Sequence, residues 1–180
     1  MSVDKKNIRI FNIKYSHDEI ENILSNVKDV LDTAFLSNHK YCRKLEEKFE
    51  EICDTKYKAI SCSSATSGLE AIFRYINIKN KAVLVQSNTF IATGHAIHSA
   101  DGIVVPIDLN SEFVASLEDI KRAYLKCKEL SIEVAALCIV NISGRMSQSI
   151  YEIQNFCKEE KIRLIEDNAQ GMLSILDKKQ

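Results

Sequence analysis

Seven consecutive residues at 134–140, VAALCIV, carry no polar side chain. A strand with one wet face alternates polar and apolar residues, so an unbroken apolar run describes a strand covered on both faces. Such cover comes from helices packed above and below a sheet. The rest of the chain supplies them. Over residues 17–33, Ile20, Ile23, Leu24, Val27, Val30 and Leu31 recur at helical spacing; over 40–52, Leu45, Phe49 and Ile52 repeat the pattern and are expected to face inward. A short strand follows at 58–61. A helix then starts after Ser63-Ser64, with Leu69, Ile72, Phe73 and Ile76 on one face. Beyond it come a strand at 82–85, a helix at 89–99, a strand at 103–107 and a helix at 117–129 opened by a Ser116/Asp119 capping box. The strand at 134–140, a helix at 147–159 and a strand at 162–165 complete the series. This alternation predicts an α/β fold: crossover units on a mostly parallel central sheet, with helices on both faces.

Composition narrows the class. With 180 residues, 46% hydrophobic and 27% charged, the chain suits a soluble globular domain. A net charge of −1 offers no field for nucleic acid or an anionic membrane. No apolar run approaches the roughly 20 residues of a membrane span. The start, MSVDKKNIRIFN, lacks the apolar stretch of a secretory signal. Cys42, Cys53, Cys62, Cys127, Cys138 and Cys157 show no zinc-type spacing and read as reduced, mostly buried thiols of a cytoplasmic protein. His95 and His98 share a helix face but lack a third ligand, so packing is expected there and no metal. Lys5-Lys6 and Lys178-Lys179 read as solvated ends.

Chemistry is expected where strands end, because ligands of open α/β sheets sit at the carboxyl ends of the strands. Three such mouths stand out. The segment IRLIEDNAQG at 162–171 runs from an apolar strand into Glu166-Asp167, with Gln170 beyond. A carboxylate there must be paired or solvated; it either serves a ligand or caps a following helix. Ser63-Ser64-Ala65-Thr66-Ser67-Gly68 joins a strand to a helix through small and hydroxyl residues. Its free N–H groups either hold an anion or are simply capped. Phe90, just after the next strand, either lies over a flat heterocycle or joins the core.

These segments, in this order, resemble the DegT/DnrJ/EryC1/StrS family of sugar aminotransferases. Ser64-Ala65-Thr66-Ser67-Gly68-Leu69 is similar to the family's S-[GA]-T-x-[AG]-L, and Thr89–Ile97 to T-[FW]-x-A-T-x-x-A-I. Ile165-Glu166-Asp167-Asn168-Ala169-Gln170 is similar to I-E-D-x-A-Q, and AFLSNHKYCRKLEEKFEEI to the opening turn and acidic helix. The resemblance implies the large domain of a fold-type I pyridoxal 5'-phosphate enzyme, present as a truncated N-terminal part. Residues 1–56 would form a helical lead-in and residues 57–180 the first part of the cofactor-binding domain, with the C-terminal small domain absent.

By the same resemblance, Ala65 and Thr66 hold the cofactor phosphate, Phe90 stacks on the pyridine ring, Asp167 pairs with its nitrogen, and Gln170 approaches its hydroxyl. Complete relatives would move an amino group from glutamate to a keto-sugar nucleotide, as cytoplasmic homodimers. Two departures accompany the likeness. Val140-Asn141-Ile142-Ser143-Gly144-Arg145 stands where the family has V-H-L-Y-G-Q. The Schiff-base lysine is expected beyond Gln180, so no catalytic residue is assigned here and the 180 residues alone are expected to be inactive. Two alternatives remain open: a non-catalytic α/β domain binding a phosphate ligand or a partner, and a relative of the sugar dehydratases that use the amine form of the cofactor.

Overall fold

The computed structural model describes residues 13–174, so Lys5-Lys6 and Lys178-Lys179 lie outside the described residues. The chain divides between Ser61 and Cys62 into two compact units.

The first unit holds α1 (His17–Thr33) and α2 (Lys40–Ile52). A Ser16/Glu19 capping box opens α1, and Ala34 in the left-handed conformation ends it. Tyr41 of α2 reaches back to Asn26 and Asp29 of α1, and Lys40 pairs with Asp29. Neither helix buries a residue. Leu45, Phe49 and Ile52 are exposed, contrary to the inward placement their spacing suggested. The periodicity identified the helix correctly, but an apolar stripe does not by itself state what covers it. The expected strand at 58–61 also does not form. The carboxylate of Glu50 accepts the Ala59 N–H at 2.9 Å, and that of Glu46 accepts the Ser61 N–H at 2.8 Å. Side chains of α2 thus take the donors that a neighbouring strand would otherwise use.

The second unit contains α3 (Ala65–Tyr75), β1 (Ala82–Gln86), α4 (Ile91–Ser99), β2 (Ile103–Ile107), α5 (Leu117–Glu129), β3 (Val134–Val140), a single 3₁₀ turn at Ile142–Gly144, α6 (Ile150–Glu159) and β4 (Arg163–Asp167). The four strands form one parallel sheet in the order β2-β1-β3-β4. Strand side chains alternate between faces, and the core divides accordingly. Leu84, Leu137 and Ile139 pack with Ile120, Tyr124, Ile153 and Phe156 of α5 and α6. Val83, Val85, Ala136, Cys138 and Val140 pack with Leu69, Phe73, Ala96 and Ile97 of α3 and α4. Both faces of β3 are therefore covered, as its composition required. Pro106 falls on β2, at the sheet edge, where a missing N–H costs no ladder bond.

Several boundaries moved for local reasons. Phe90 adopts extended backbone, so α4 starts at Ile91 and not at 89. Ser147 is buried and its hydroxyl donates to the Ala115 carbonyl, which delays α6 to Ile150. The N–H of Ile162 closes the end of α6 on Cys157, and β4 runs on to Asp167. Ile72 is exposed while Leu69 and Phe73 are buried, so the inner face of α3 is narrower than expected. All six cysteines are free, but only Cys127, Cys138 and Cys157 are buried. Cys53 and Cys62 are exposed, because α2 buries nothing and residue 62 precedes α3. His95 and His98 are also exposed, not packed. Among the described residues, no cluster of three metal-ligating side chains occurs.

The capping box of α5 gives a pH prediction. The Ser116 hydroxyl, aided by its N–H and by Arg122, holds the Asp119 carboxyl below its ordinary value against the opposing effect of burial. Such a group stabilises the fold fully above its unfolded pKa of about 3.9, and that contribution is lost as pH falls through the lower folded value. The stability gap between the native chain and Asp119→Asn should therefore shrink as pH is lowered below about 4, measured by urea denaturation across a pH series.

Candidate functional site

Parallel pairing brings the carboxyl ends of the strands to one edge. Val140 of β3 sits beside Asp167 of β4, and Val85 of β1 beside Cys138 of β3. The N-terminal turns of α3 and α4 meet them there, around a cavity of about 180 Å³. Ala65, Thr66 and Leu69 line it from α3, Phe90, Ala92 and Thr93 from α4, and Val140, Ile142, Asp167, Ala169 and Gln170 from the sheet side. The residues singled out from sequence, Ala65, Thr66, Phe90, Asp167 and Gln170, thus come together at one place.

The wall from α3 is a set of backbone donors. Ser64 caps the helix, its hydroxyl accepting the Ser67 N–H at 3.2 Å, and the Gly68 N–H bonds the Ser64 carbonyl. The N–H groups of Ala65 and Thr66, in the helix's first turn, have no intrahelical acceptor. They project where the helix dipole favours negative charge. Gly68 keeps the turn tight: a methyl there would lie 3.1 Å from the Cys62 sulfur.

The opposite wall carries the acid. No helix follows β4 among the described residues, so Asp167 caps none. Its Oδ1 accepts the Ala169 N–H at 3.3 Å, and its Oδ2 accepts the Thr93 hydroxyl at 2.8 Å. Gln170 is tethered through Oε1, which accepts the Ser143 N–H at 2.7 Å. Its amide NH₂ is therefore the end offered to any other partner. Ser143 adopts a left-handed backbone, followed by Gly144 at φ +73°. Phe90 forms the rim, with 68% of its surface exposed.

Two residues of this region carried no role in the sequence. Thr93 is buried and reaches Asp167 from 74 positions away. Its sequence signal is its place as the second threonine of the 89–97 motif, in the first turn of α4. Asn141 is 2% exposed and stands at the altered family position. Its Nδ2 donates to Glu166 and to Asn168, and its N–H to the Asp167 carbonyl, while its Oδ1 has no partner among the described residues. Behind the acid, burial and then the charge of Asp167 push the Cys138 thiol up to about 12, so it stays protonated at neutral pH. Among the described residues, no lysine lines the cavity.

The geometry can be set beside known proteins. The model of the DegT/DnrJ/EryC1/StrS aminotransferase family matches residues 17–180. Over 161 residues the chain is 29% identical to the UDP-4-amino-4,6-dideoxy-N-acetyl-beta-L-altrosamine transaminase of Campylobacter jejuni subsp. jejuni serotype O:23/36, covering 89% of this chain and 42% of that protein. A DegT DnrJ EryC1 StrS aminotransferase from Brucella abortus has a similar fold, with a TM-score of 0.78 at 24% identity over 86% of this chain and 42% of that one. NtdA from Bacillus subtilis, solved with bound cofactor PMP, gives a TM-score of 0.76 at 22% identity over 93% and 39%. These structural likenesses bear on the fold. The chain spans about 42% of the length of the transaminase it matches.

The cap of α3 is testable apart from any ligand. Ser64→Ala should cost about 1 kcal/mol of stability and Ser64→Asp only a fraction of that, as read by chemical denaturation.

Proposed function

The chain belongs to the DegT/DnrJ/EryC1/StrS aminotransferase family, and we propose on that premise that its cavity holds pyridoxal 5'-phosphate for the transfer of an amino group from glutamate to a keto-sugar nucleotide. One observation carries the proposal: an acid, an open helix N-terminus, an aromatic rim and an amide donor meet at a single cavity. The donor set fits the cofactor. A phosphate needs backbone N–H groups, a ring nitrogen needs a carboxylate, and a ring hydroxyl needs a donor such as the Gln170 NH₂.

When bound, the cofactor supplies an electron sink for the substrate carbon that gains or loses the amino group. The chain's own residues prepare for that. Ala65 and Thr66 bind the phosphate through their N–H groups, with the Thr66 hydroxyl as a further donor. Asp167 keeps a proton on the ring nitrogen. Phe90 would lie over the ring and fix its plane, and Leu69, Val140 and Ile142, which line the cavity, would exclude water from it. The proton-shuttling amine is assigned to none of the described lysines, since none lines the cavity.

The same proposal extends to a cytoplasmic homodimer. Phe90 and Ile91 stand largely exposed beside the cavity, as side chains awaiting cover do. Among the described residues, no helix is long and apolar enough to cross a membrane. Sedimentation of the 180-residue chain should show a dimer that Ile91→Lys converts to monomer.

The direct test is fluorescence titration with pyridoxamine 5'-phosphate, which carries no aldehyde. The native chain should bind it, and Asp167→Asn should weaken binding about tenfold or more, the worth of a hydrogen bond to a charged group. Mixed with glutamate, cofactor and a keto-sugar nucleotide, the 180 residues alone should not transaminate. Equal affinity of Asp167→Asn and the native chain, with inorganic phosphate competing equally against both, would reduce the cavity to a plain anion site.

A further inference from the structure

Thr93 is 1% exposed, and a buried hydroxyl needs a partner. Its partner is the acid of the cavity: Oγ1 donates to Asp167 Oδ2 at 2.8 Å. The Thr89 hydroxyl lies 2.7 Å from the Thr93 hydroxyl. Each hydroxyl owns one proton. The Thr93 proton is committed to Asp167, so Thr89 must donate the second bond. The order of donation is then set, from Thr89 to Thr93 to the carboxylate.

We infer that Thr93, backed by Thr89, is a positioning residue that fixes the plane of the Asp167 carboxylate toward the ring nitrogen of the bound cofactor. The inference rests on the function proposed above and adds a part to it. A carboxylate turns easily about its last torsion, which is broad and roughly two-fold. Thr93 removes that freedom on one side, and the Ala169 N–H, 3.3 Å from Oδ1, limits it on the other. Each carboxylate oxygen keeps one lone-pair site for a ligand.

The same turn also carries the aromatic plate. Phe90 is the N-cap of α4, and its carbonyl accepts the Thr93 N–H at 3.1 Å. Plate and acid are thereby placed by one hydrogen-bonded turn. A shift of α4 would move the plate and the Thr93 donor together, while Asp167 stays with β4. Thr89 sits just outside the helix, half-buried, where its hydroxyl can serve Thr93 without entering the cavity lining.

The test uses the 180-residue chain and pyridoxamine 5'-phosphate, with affinity and ring absorbance followed against pH. Thr93→Val keeps the shape and removes the donor. It should weaken binding about tenfold and move the loss of the ring-nitrogen proton to lower pH. Thr93→Ser restores the hydroxyl and should stay within about threefold of the native chain, with the native pH profile. Thr89→Val should shift both readouts in the same direction by less. A merely structural role for Thr93 would change the melting temperature and leave the pH profile in place, which overturns the inference. If Thr93→Val binds as the native chain does while Asp167→Asn is weakened, the inference falls and the proposed function stands. If Asp167→Asn also binds normally, both fall. Should Thr93→Val not fold, an unchanged pH profile in Thr89→Val overturns the inference by itself.

Discussion

Parallel hydrogen bonding between β1, β3 and β4 is the constraint on which the rest of the second unit depends. Parallel strands all point one way, so their carboxyl ends share an edge, and every connection must return to the other edge before the next strand begins. That return is made by helices, whose N-termini then follow the strand ends at the cavity edge. The backbone ladder alone would leave the Val140 N–H unsatisfied by β1. Gln86, a buried polar residue, supplies the acceptor from its side chain at 3.2 Å. A second amide contact, from Gln86 to Asn88 at 3.3 Å, holds that side chain in place. The last rung between β1 and β3 is therefore a side-chain rung, made at a residue that lines the cavity.

What was legible in the sequence was whatever depends on neighbours in the chain. The Ser116/Asp119 box, the extents of α1, α2 and α5, and the strands at 103–107 and 134–140 follow from periodicity and capping. The parallel, doubly covered sheet follows from the apolar composition of β3. The strand expected at 58–61 failed because its competitor was distant: Glu46 and Glu50, a helix earlier, carry the acceptors that captured its N–H groups. The inward placement of Leu45, Phe49 and Ile52 failed for a related reason, since periodicity names a face and leaves its partner unnamed.

The candidate site divides along the same line. Asp167, Phe90 and Gln170 could be picked out because they stand at or just past a strand end, and Ala65 and Thr66 because they open α3. The contacts among them could not. The link from Thr93 to Asp167 joins the first crossover, between β1 and β2, to the last strand, and its existence depends on sheet register and on the entry angle of α4. Thr89 and Thr93 both stand at threonine positions of the T-[FW]-x-A-T-x-x-A-I pattern, but a pattern does not state what either hydroxyl touches. Asn141 was noticed only as a departure from a motif. Its role as donor to two residues of the neighbouring strand end emerges only when β3 and β4 are paired.

The end of β4 is held from both of its faces. Side chains alternate along a strand, so Glu166 and Asp167, the last two residues of β4, point to opposite sides. On the first side the Asn141 amide donates to Glu166 and Asn168 together. On the second, Thr93 donates to Asp167. The clamp on the far face limits how the acid can move on the near face, because residues 166 and 168 cannot shift without carrying 167 along. Space for the clamp is made by Gly171, where a methyl group would lie 2.2 Å from the Asn168 Oδ1 and 3.1 Å from the Asn141 Cβ. A bulkier residue there would push Asn168 off Asn141 and loosen the strand end. The position of one cavity carboxylate thus depends on a glycine and an asparagine that never touch the cavity.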